Sequence, residues 1–269
     1  MTERDMLSGR LKDLSGRAYR NDYLTHTDFL GVSEQADFHA ILASQGVQPS
    51  VHRLNGAPYV LWGGWEEAER CAAVFLPSYL DEDSFIEGEL TAPQVVACLS
   101  CRPLDSRFAD DLTHRDFLGA LMNLGIERDQ IGDILVDREA AQAAIFVLAD
   151  LAETVARELT RVKHTSVTCS LIPPGECAIR PEFELREGSV ASERVDAVIS
   201  LVFRLARGKT QAYIDAERVF ANGRTVTSAG QVLKPGTRVS VRGLGKFVYE
   251  GCVTETKKGR LFVRVRVYK

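Results

Sequence analysis

Several features are missing from this 269-residue sequence, and each absence removes a class of function. No run of eighteen apolar residues exists, so no membrane span is expected. There is no H-E-x-x-H, no G-x-S-x-G and no G-K-[Ser/Thr] phosphate loop, which removes the commonest zinc peptidases, serine hydrolases and P-loop nucleotidases. The five histidines, His26, His39, His52, His114 and His164, are scattered, and each reads as an ordinary surface or core residue. The six cysteines include one lone C-x-x-C, Cys98-Leu-Ser-Cys101. A structural zinc site would need a second such pair, which Cys169 and Cys177 do not form. The cysteines of Val95–Cys101 therefore read as small apolar fillers of a buried strand, expected to be reduced, and no metal is expected. The charged start, Met1 to Leu14, has no apolar leader core, which points to a cytoplasmic address.

No cofactor loop is legible either. Trp62-Gly63-Gly64-Trp65 is too short and too aromatic to serve as the glycine-rich loop of a methyltransferase. Pro103-Leu104-Asp105-Ser106-Arg107 echoes the catalytic aspartate run of a pseudouridine synthase only superficially, and reads as a strand-ending turn. No catalytic residue and no cofactor are expected, so the chain is read as not an enzyme. The rival reading is an rRNA- or tRNA-modifying enzyme with an unrecognised site in residues 1–188.

What is present is an uneven charge. The net charge is −4, yet residues 189–269 hold 16 Lys and Arg against 6 Asp and Glu, whereas residues 1–188 hold 17 against 31. Such a split suggests that the tail meets a polyanion while the acidic front avoids it or docks a protein partner.

Along the chain, the expected class is α+β in three small domains. Residues 1–82 read as an N-terminal α/β unit. A helix carries Met6, Leu7, Leu11 and Leu14 on one side, Tyr23–Gly31 ends in a loop, and a helix runs from Ser33 to about Gln45. A hairpin of Val51–Leu54 and Tyr59–Trp62 turns at Asn55-Gly56, and a strand covers Cys71–Pro77. Residues 83–187 read as a ferredoxin-like, RRM-like middle domain. Its strands are Ile86–Leu90, Val95–Cys101, Ile131–Val136, Ala143–Leu148 and Val167–Leu171. Its helices are His114–Leu124, capped by Thr113 with Asp116, and Leu151–Val162. Pro173–Ser189 is extended.

Residues 188–269 carry the most informative stretch. Val195, Val198, Ile199 and Val202 recur on one helical face. A second helix from Arg207 through Ala216 turns Thr210, Tyr213 and Ile214 inward. A strand from Arg218 to Ala221 closes at Asn222-Gly223, a strong hairpin signal. Arg207 and Lys209 fall in the first turn of the second helix, where free N–H groups already favour an anion. Cations there oppose the dipole, which makes sense if a phosphate sits between them. Near the end, Leu261, Val263, Val265 and Val267 share one strand face. Arg260, Phe262, Arg264, Arg266 and Tyr268 share the other, which reads either as a nucleic-acid-tracking face or as a solvated face with cross-strand pairs.

These runs resemble the alpha-L RNA-binding domain first described in ribosomal protein four of the small subunit. The resemblance is carried by Arg194-Val195-Asp196, Ala206-Arg207-Gly208-Lys209-Thr210, Ile214 through Gly223, and Leu233-Lys234-Pro235-Gly236-Thr237. It implies RNA contacts from Arg194, Arg207, Lys209, Thr210, Arg218, Asn222, Lys234, Arg242 and Lys246. There are two departures. Ala206 replaces the usual serine cap, a loss of about 1 kcal/mol. Glu217 replaces the glycine that ends the second helix, so either the turn differs or a side chain is forced into the left-handed region.

The rest of the chain resembles the YlmH family. Thr27-Asp28-Phe29-Leu30, Ala73-Val74-Phe75-Leu76-Pro77, His114 through Ile126, and Ile131-Gly132-Asp133-Ile134 carry it. That resemblance implies a bacterial cytoplasmic protein with an RNA-recognition-like middle domain. It also implies binding of rRNA and tRNA on the large ribosomal subunit, in quality control of stalled peptidyl-tRNA complexes. For His114, Arg115, Asp116, Arg128 and Asp133, the alternatives are RNA contact or surface ion pairs around a packed helix, with the second slightly favoured.

Overall fold

The computed structural model describes residues 2–47, 52–105, 107, 109–256 and 259–269. Val51 and Ser106 lie outside the described residues, as do Lys257 and Lys258 of the last expected strand connection. The chain divides into two compact units, Met1–Arg180 and Pro181–Lys269. The architecture is α+β, and every paired strand runs antiparallel to its neighbours.

The first unit opens with α1 (Glu3–Asn21), started by a reciprocal cap. The Thr2 hydroxyl accepts the Asp5 N–H, and the Asp5 carboxylate accepts the Thr2 N–H. Next come β1 (Thr25–Leu30), α2 (Val32–Ser44), β2 (Arg53–Leu54), β3 (Ala57–Trp62) and β4 (Cys71–Phe75), with sheet order β1-β4-β3-β2. The segment Tyr23–Gly31, expected to end in a loop, instead runs as strand β1 to Leu30. Its inward positions include Thr25 and Thr27, both buried, so the apolar alternation that marks a strand is masked by hydroxyls. Those hydroxyls are satisfied: Thr25 Oγ1 donates to the Leu14 carbonyl, and Thr27 Oγ1 accepts the Ala73 N–H.

The same unit continues through α3 (Glu82–Thr91), β5 (Val96–Pro103), α4 (His114–Asn123), β6 (Ile131–Asp137), β7 (Gln142–Leu148), α5 (Ala152–Glu158), β8 (Arg161–Val162) and β9 (Thr165–Ile172). The sheet order β6-β7-β5-β9-β8 and the β-α-β-β-α-β succession give the expected ferredoxin-like arrangement. Two expectations change. Ile86–Leu90 is helical, because Asp81 caps the run by accepting the Ser84 N–H and Glu82 and Asp83 fill the first turn. The helix expected to run to Val162 stops at Glu158, and Arg161–Val162 turns into β8.

The two sheets of this unit share one core, in which Phe29, Trp62 and Trp65 pack with Val96, Cys98 and Phe146. The expected boundary near residues 82 and 83 falls at the start of α3, between these sheets. A buried polar staple also joins them. Asp133 accepts from Trp65 Nε1 (3.1 Å), the Glu69 N–H (2.8 Å) and the Arg70 N–H (3.2 Å). Arg70 donates to the carbonyls of Ile131, Phe29 and Arg128. Burial pushes the Asp133 carboxyl up and the Arg70 guanidinium down from their ordinary values.

The cysteines are not only fillers. Cys101 and Cys169 lie opposite each other on β5 and β9 and are joined as a disulfide, with Cα atoms 4.2 Å apart. Cys98 faces the other side of β5 and meets Cys177, and its hydrogen bond holds the Cys177 thiol low. The C-x-x-C spacing thus sends its two thiols to opposite faces of a strand, each to a different partner.

The second unit holds β10 (Phe183–Val190), α6 (Val195–Phe203), α7 (Arg207–Asp215), β11 (Val219–Ala221), β12 (Arg224–Thr225), β13 (Arg238–Val241), β14 (Gly245–Glu255) and β15 (Leu261–Tyr268). The sheet order is β10-β15-β14-β13-β11-β12. Helices α6 and α7 bury Val195, Val198, Ile199, Val202 and Ile214 against Phe247, Tyr249, Val263 and Val265. Strand β10 replaces the expected end of the extended connection. It is an edge strand rich in charge, with Leu185 turned outward and Val190 buried, so no alternation betrayed it. Among the described residues no helix is long and apolar enough to cross a membrane.

Candidate nucleic-acid interface

The candidate interface is built on α7, and each end of that helix carries a group of cations. At its N-terminus Ala206 supplies no side-chain cap, as the sequence implied. Instead, a buried carboxylate on α6 organises the charges. Asp196 accepts from Arg194 Nε and Nη2, both at 3.0 Å, and lies 3.6 Å from Arg207 Nε. The Asp196 side chain is 5% exposed and that of Arg207 is 72% exposed. The carboxylate therefore holds two guanidiniums from below while their outer edges face solvent. Lys209 is exposed in the same first turn of α7. Lys234 follows Leu233, whose N–H bonds to the Glu193 carbonyl beside Arg194. It opens a turn closed by Thr237.

At the other end, α7 terminates in a Schellman motif. The Glu217 N–H bonds to the Ile214 carbonyl and the Arg218 N–H to the Tyr213 carbonyl, each at 2.9 Å. Glu217 adopts φ 53°, so a side chain does occupy the left-handed position usually given to glycine. The motif fixes Arg218 five residues after Tyr213, and the guanidinium stacks over that ring at 5.0 Å. Arg218 and Arg242 are then locked together. The Arg242 N–H bonds to the Arg218 carbonyl, and Arg218 Nη2 donates to the Arg242 carbonyl at 3.0 Å. Gly243 takes φ 87° in this turn, the left-handed region that favours glycine. Arg242 lies over Phe220 at 4.9 Å, and Lys246, in the same β13–β14 hairpin, lies over Tyr268 at 5.8 Å. Exposed cation–π contacts of this kind contribute about 0.5–1 kcal/mol each. They also restrict side chains that would otherwise be ordered only on binding.

Of the nine residues expected from sequence, the structure brings Arg194 to Arg207 and Arg218 to Arg242. Lys209 is exposed two residues after Arg207 in the first turn of α7, and Lys246 lies in the hairpin of the second pair. Thr210 leaves the set. It is fully buried, and its hydroxyl bonds to Ser200 Oγ at 2.9 Å, tying α7 to α6. Asn222 keeps its place at the hairpin turn, but its Oδ1 accepts the Arg238 N–H and so serves the turn. Sequence reasoning missed Asp196, Tyr213 and Phe220 as parts of the site. Asp196 stood two residues from Arg194, and Tyr213 at the spacing a Schellman ending brings under Arg218.

The basic face of β15 resolves to cross-strand pairing. Arg264 Nε donates to Glu187 Oε1 at 2.6 Å, and Arg266 Nε lies 2.7 Å from Glu250 Oε1. Arg260 donates to the hydroxyl and carbonyl of Ser189. Phe183 packs on Tyr268 and beneath Arg266. The partners Glu187, Ser189 and Phe183 all sit on β10, the strand not foreseen. The motif in the middle of the chain is likewise committed. Asp133 belongs to the staple, and Asp116 pairs with Lys163 at 2.9 Å while capping α4.

Comparison with known proteins identifies the family. Residues 104–175 match the family described as "Putative RNA-binding domain in YlmH". The ribosome-associated protein quality control protein P2 of Bacillus subtilis (strain 168) is 31% identical over 240 residues, covering 87% of this chain and 83% of its own. This chain belongs to the YlmH family. A solved YlmH structure, the cell division protein ylmH from Streptococcus pneumoniae, aligns over 66% of this chain and 91% of its own, with 18% identity and a TM-score of 0.45. The YlmH domain match spans α4 and strands β6 to β9 of the first unit, whereas the oriented cations lie in the second.

Proposed function

We propose that this YlmH-family chain is a non-catalytic RNA-binding protein of ribosome-associated quality control. It holds rRNA and tRNA on the large ribosomal subunit through residues 188–269, which act as an alpha-L domain. The observation that carries this is the pair of cation groups on α7, held by Asp196 at one end and by the Schellman turn at the other. Guanidiniums fixed with their outer edges free suit phosphates spaced along a folded RNA backbone. The quality-control assignment follows the name of the Bacillus subtilis relative. A cytoplasmic address follows from the same role.

Crosslinking the intact protein to RNA in cells, with sites mapped to nucleotides, tests the proposal. Crosslinks from α7 and the β13–β14 hairpin to large-subunit rRNA or tRNA support it. Crosslinks confined to other RNA, or absent from this unit, overturn it. Calorimetry with S-adenosylmethionine tests the absence of catalysis, and tight binding would turn the reading toward an RNA-modifying enzyme.

A further inference from the structure

The sheet of the second unit has two faces, and α6 and α7 use one of them. Val219, Val239, Val241, Phe247, Val265 and Val267 pack with the helices. Residues at the alternate positions of the same strands point the other way. Strand register aligns these outer residues into rows. Thr225 pairs with Phe220, Phe220 with Ser240, and Ser240 with Lys246. Lys246 reaches Tyr268 on the next strand, and Tyr268 pairs with Phe183 on the last. This row crosses the sheet from β12 to β10 and carries the rings of Phe220, Tyr268 and Phe183. A second row joins Arg238, Val248, Arg266 and Leu185. Thr225, Lys246 and Leu185 are exposed, so the face is open to solvent.

Each ring of the first row lies under a cation. Arg242 stands 4.9 Å from the Phe220 centroid, Lys246 5.8 Å from that of Tyr268, and Arg266 4.7 Å from that of Phe183. The Phe183 and Tyr268 rings meet edge to face at 4.7 Å. A guanidinium stacked on a ring keeps a second planar face, on which a base can stack. The face is also cationic. It carries Arg238, Arg242, Lys246, Arg264 and Arg266 against the carboxylates of Glu187 and Glu250. Both carboxylates are taken up, Glu187 by Arg264 at 2.6 Å and Glu250 by Arg266 at 2.7 Å. Glu182, next to Phe183, pairs with Lys269 at 3.0 Å. The cross-strand pairs of β15 thus remove the acids that would repel a polyanion. Bulges in β14, at Tyr249–Gly251 and Cys252–Thr254, bend the strand. There the face opens into a hollow of about 410 Å³ lined by Val248, Gly251, Arg264 and Arg266, among other residues. Phe220 and Tyr268 stand three strand spacings apart, about 14 Å. Aromatics on a four-stranded sheet stack about two or three bases. An acidic polypeptide would meet the cations but leave the rings without planar partners.

We propose that the outer face of this sheet stacks a short unpaired run of RNA, continuous with the Arg218–Arg242 pair at the end of α7. The proposal rests on the RNA-binding reading for the class of its ligand, and extends it to rings that α7 does not carry.

The test titrates the full chain, by anisotropy, with a labelled oligouridylate of about ten nucleotides and, in parallel, with a structured RNA hairpin. Phe220→Leu with Tyr268→Leu keeps apolar bulk and removes two rings. It is expected to weaken oligouridylate binding roughly fivefold or more per ring, and to leave hairpin binding within about twofold. Tyr268→Phe is expected to keep both affinities within about twofold, because the ring and not the hydroxyl does the stacking. Tyr268→Leu alone guards against a double variant that fails to fold, and should still lose roughly fivefold. Arg207→Ala with Lys209→Ala is expected to weaken the hairpin more than the oligouridylate. An oligouridylate that the native chain does not bind overturns the proposal. So do leucine variants that bind it like the native chain, a Tyr268→Phe that loses as much as Tyr268→Leu, or polyglutamate that displaces it at equal charge. Equal losses for both RNAs in the leucine variants also overturn it, because the rings then only support the α7 grip. A native chain that binds oligouridylate through the rings but not the hairpin supports the sheet face and counts against the grip.

Discussion

Replacing Glu217 with glycine separates two effects that the sequence entangles at the end of α7. Glu217 sits at φ 53° in the Schellman turn, where a Cβ meets the carbonyl oxygen. That conformation costs a non-glycine residue roughly 1–2 kcal/mol. Glycine removes the strain but gains about 0.4–1 kcal/mol of unfolded-chain entropy. The net expectation is about 0.5–1 kcal/mol of added stability for the end of the helix, equivalent to a factor of roughly 2–5 in a local opening constant. Hydrogen exchange on the full chain reads this directly. The Glu217 and Arg218 amides, bonded to the carbonyls of Ile214 and Tyr213, should exchange about two- to fivefold more slowly in Glu217→Gly. The substitution also removes a carboxylate from beside Arg218, so RNA affinity should rise. Glu217→Ala keeps the strain and removes the charge; it should raise affinity without slowing exchange. If glycine speeds exchange or leaves it unchanged, the left-handed residue is not strained and the reasoning fails.

Three further outcomes test the scaffold. Arg70→Met removes the side-chain donor to the carbonyls of Phe29 and Arg128, while the Ile131 carbonyl keeps Arg128 Nη1 at 2.6 Å, and should cost about 2–5 kcal/mol. Urea unfolding followed through Trp62 and Trp65, both in the first unit, measures it, and a loss below about 1 kcal/mol would contradict the staple. Tyr249→Phe removes the hydroxyl that donates to Glu193 at 2.5 Å, and should cost about 1.5–3 kcal/mol and loosen the entry to α6, read as faster exchange at Val195. Asp116 is held low, to about 2, first by Lys163 and then by Thr113. Its folded value lies below its ordinary 3.8, so its contribution is present above about pH 4 and fades as pH falls toward 2. The difference in denaturation midpoint between the native chain and Asp116→Asn should shrink across that window, and a difference that holds constant to pH 2 would refute the pairing.

What could be read from sequence follows a physical pattern. Helix α6 was legible because Val195, Val198, Ile199 and Val202 show period and burial together, and α7 because Thr210 and Ile214, one turn apart, are both buried. The Thr113–Asp116 cap and the Asn222-Gly223 turn were legible because local chemistry dictates them. Strands β1 and β10 were hidden because threonines fill core positions in one and the other lies at an edge with charged faces. That second omission carried through to the site, since Arg260 and Arg264 are tied to residues of β10. Helix α3 was misread because its apolar residues were weighed without the Asp81 cap. The cation groups were found as residue types, but their holders were not. Asp196 and the rings of Tyr213 and Phe220 act through distances that no spacing rule states.

The most direct measurement is the salt dependence of binding of the full chain to structured ribosomal RNA, native against Arg207→Ala with Lys209→Ala. Two lost phosphate contacts should lower affinity and flatten the plot of log affinity against log salt by about 1–2 units of slope, with the fold intact by circular dichroism. An unchanged affinity and slope in the double variant would show that the cations on α7 do not grip a nucleic-acid backbone.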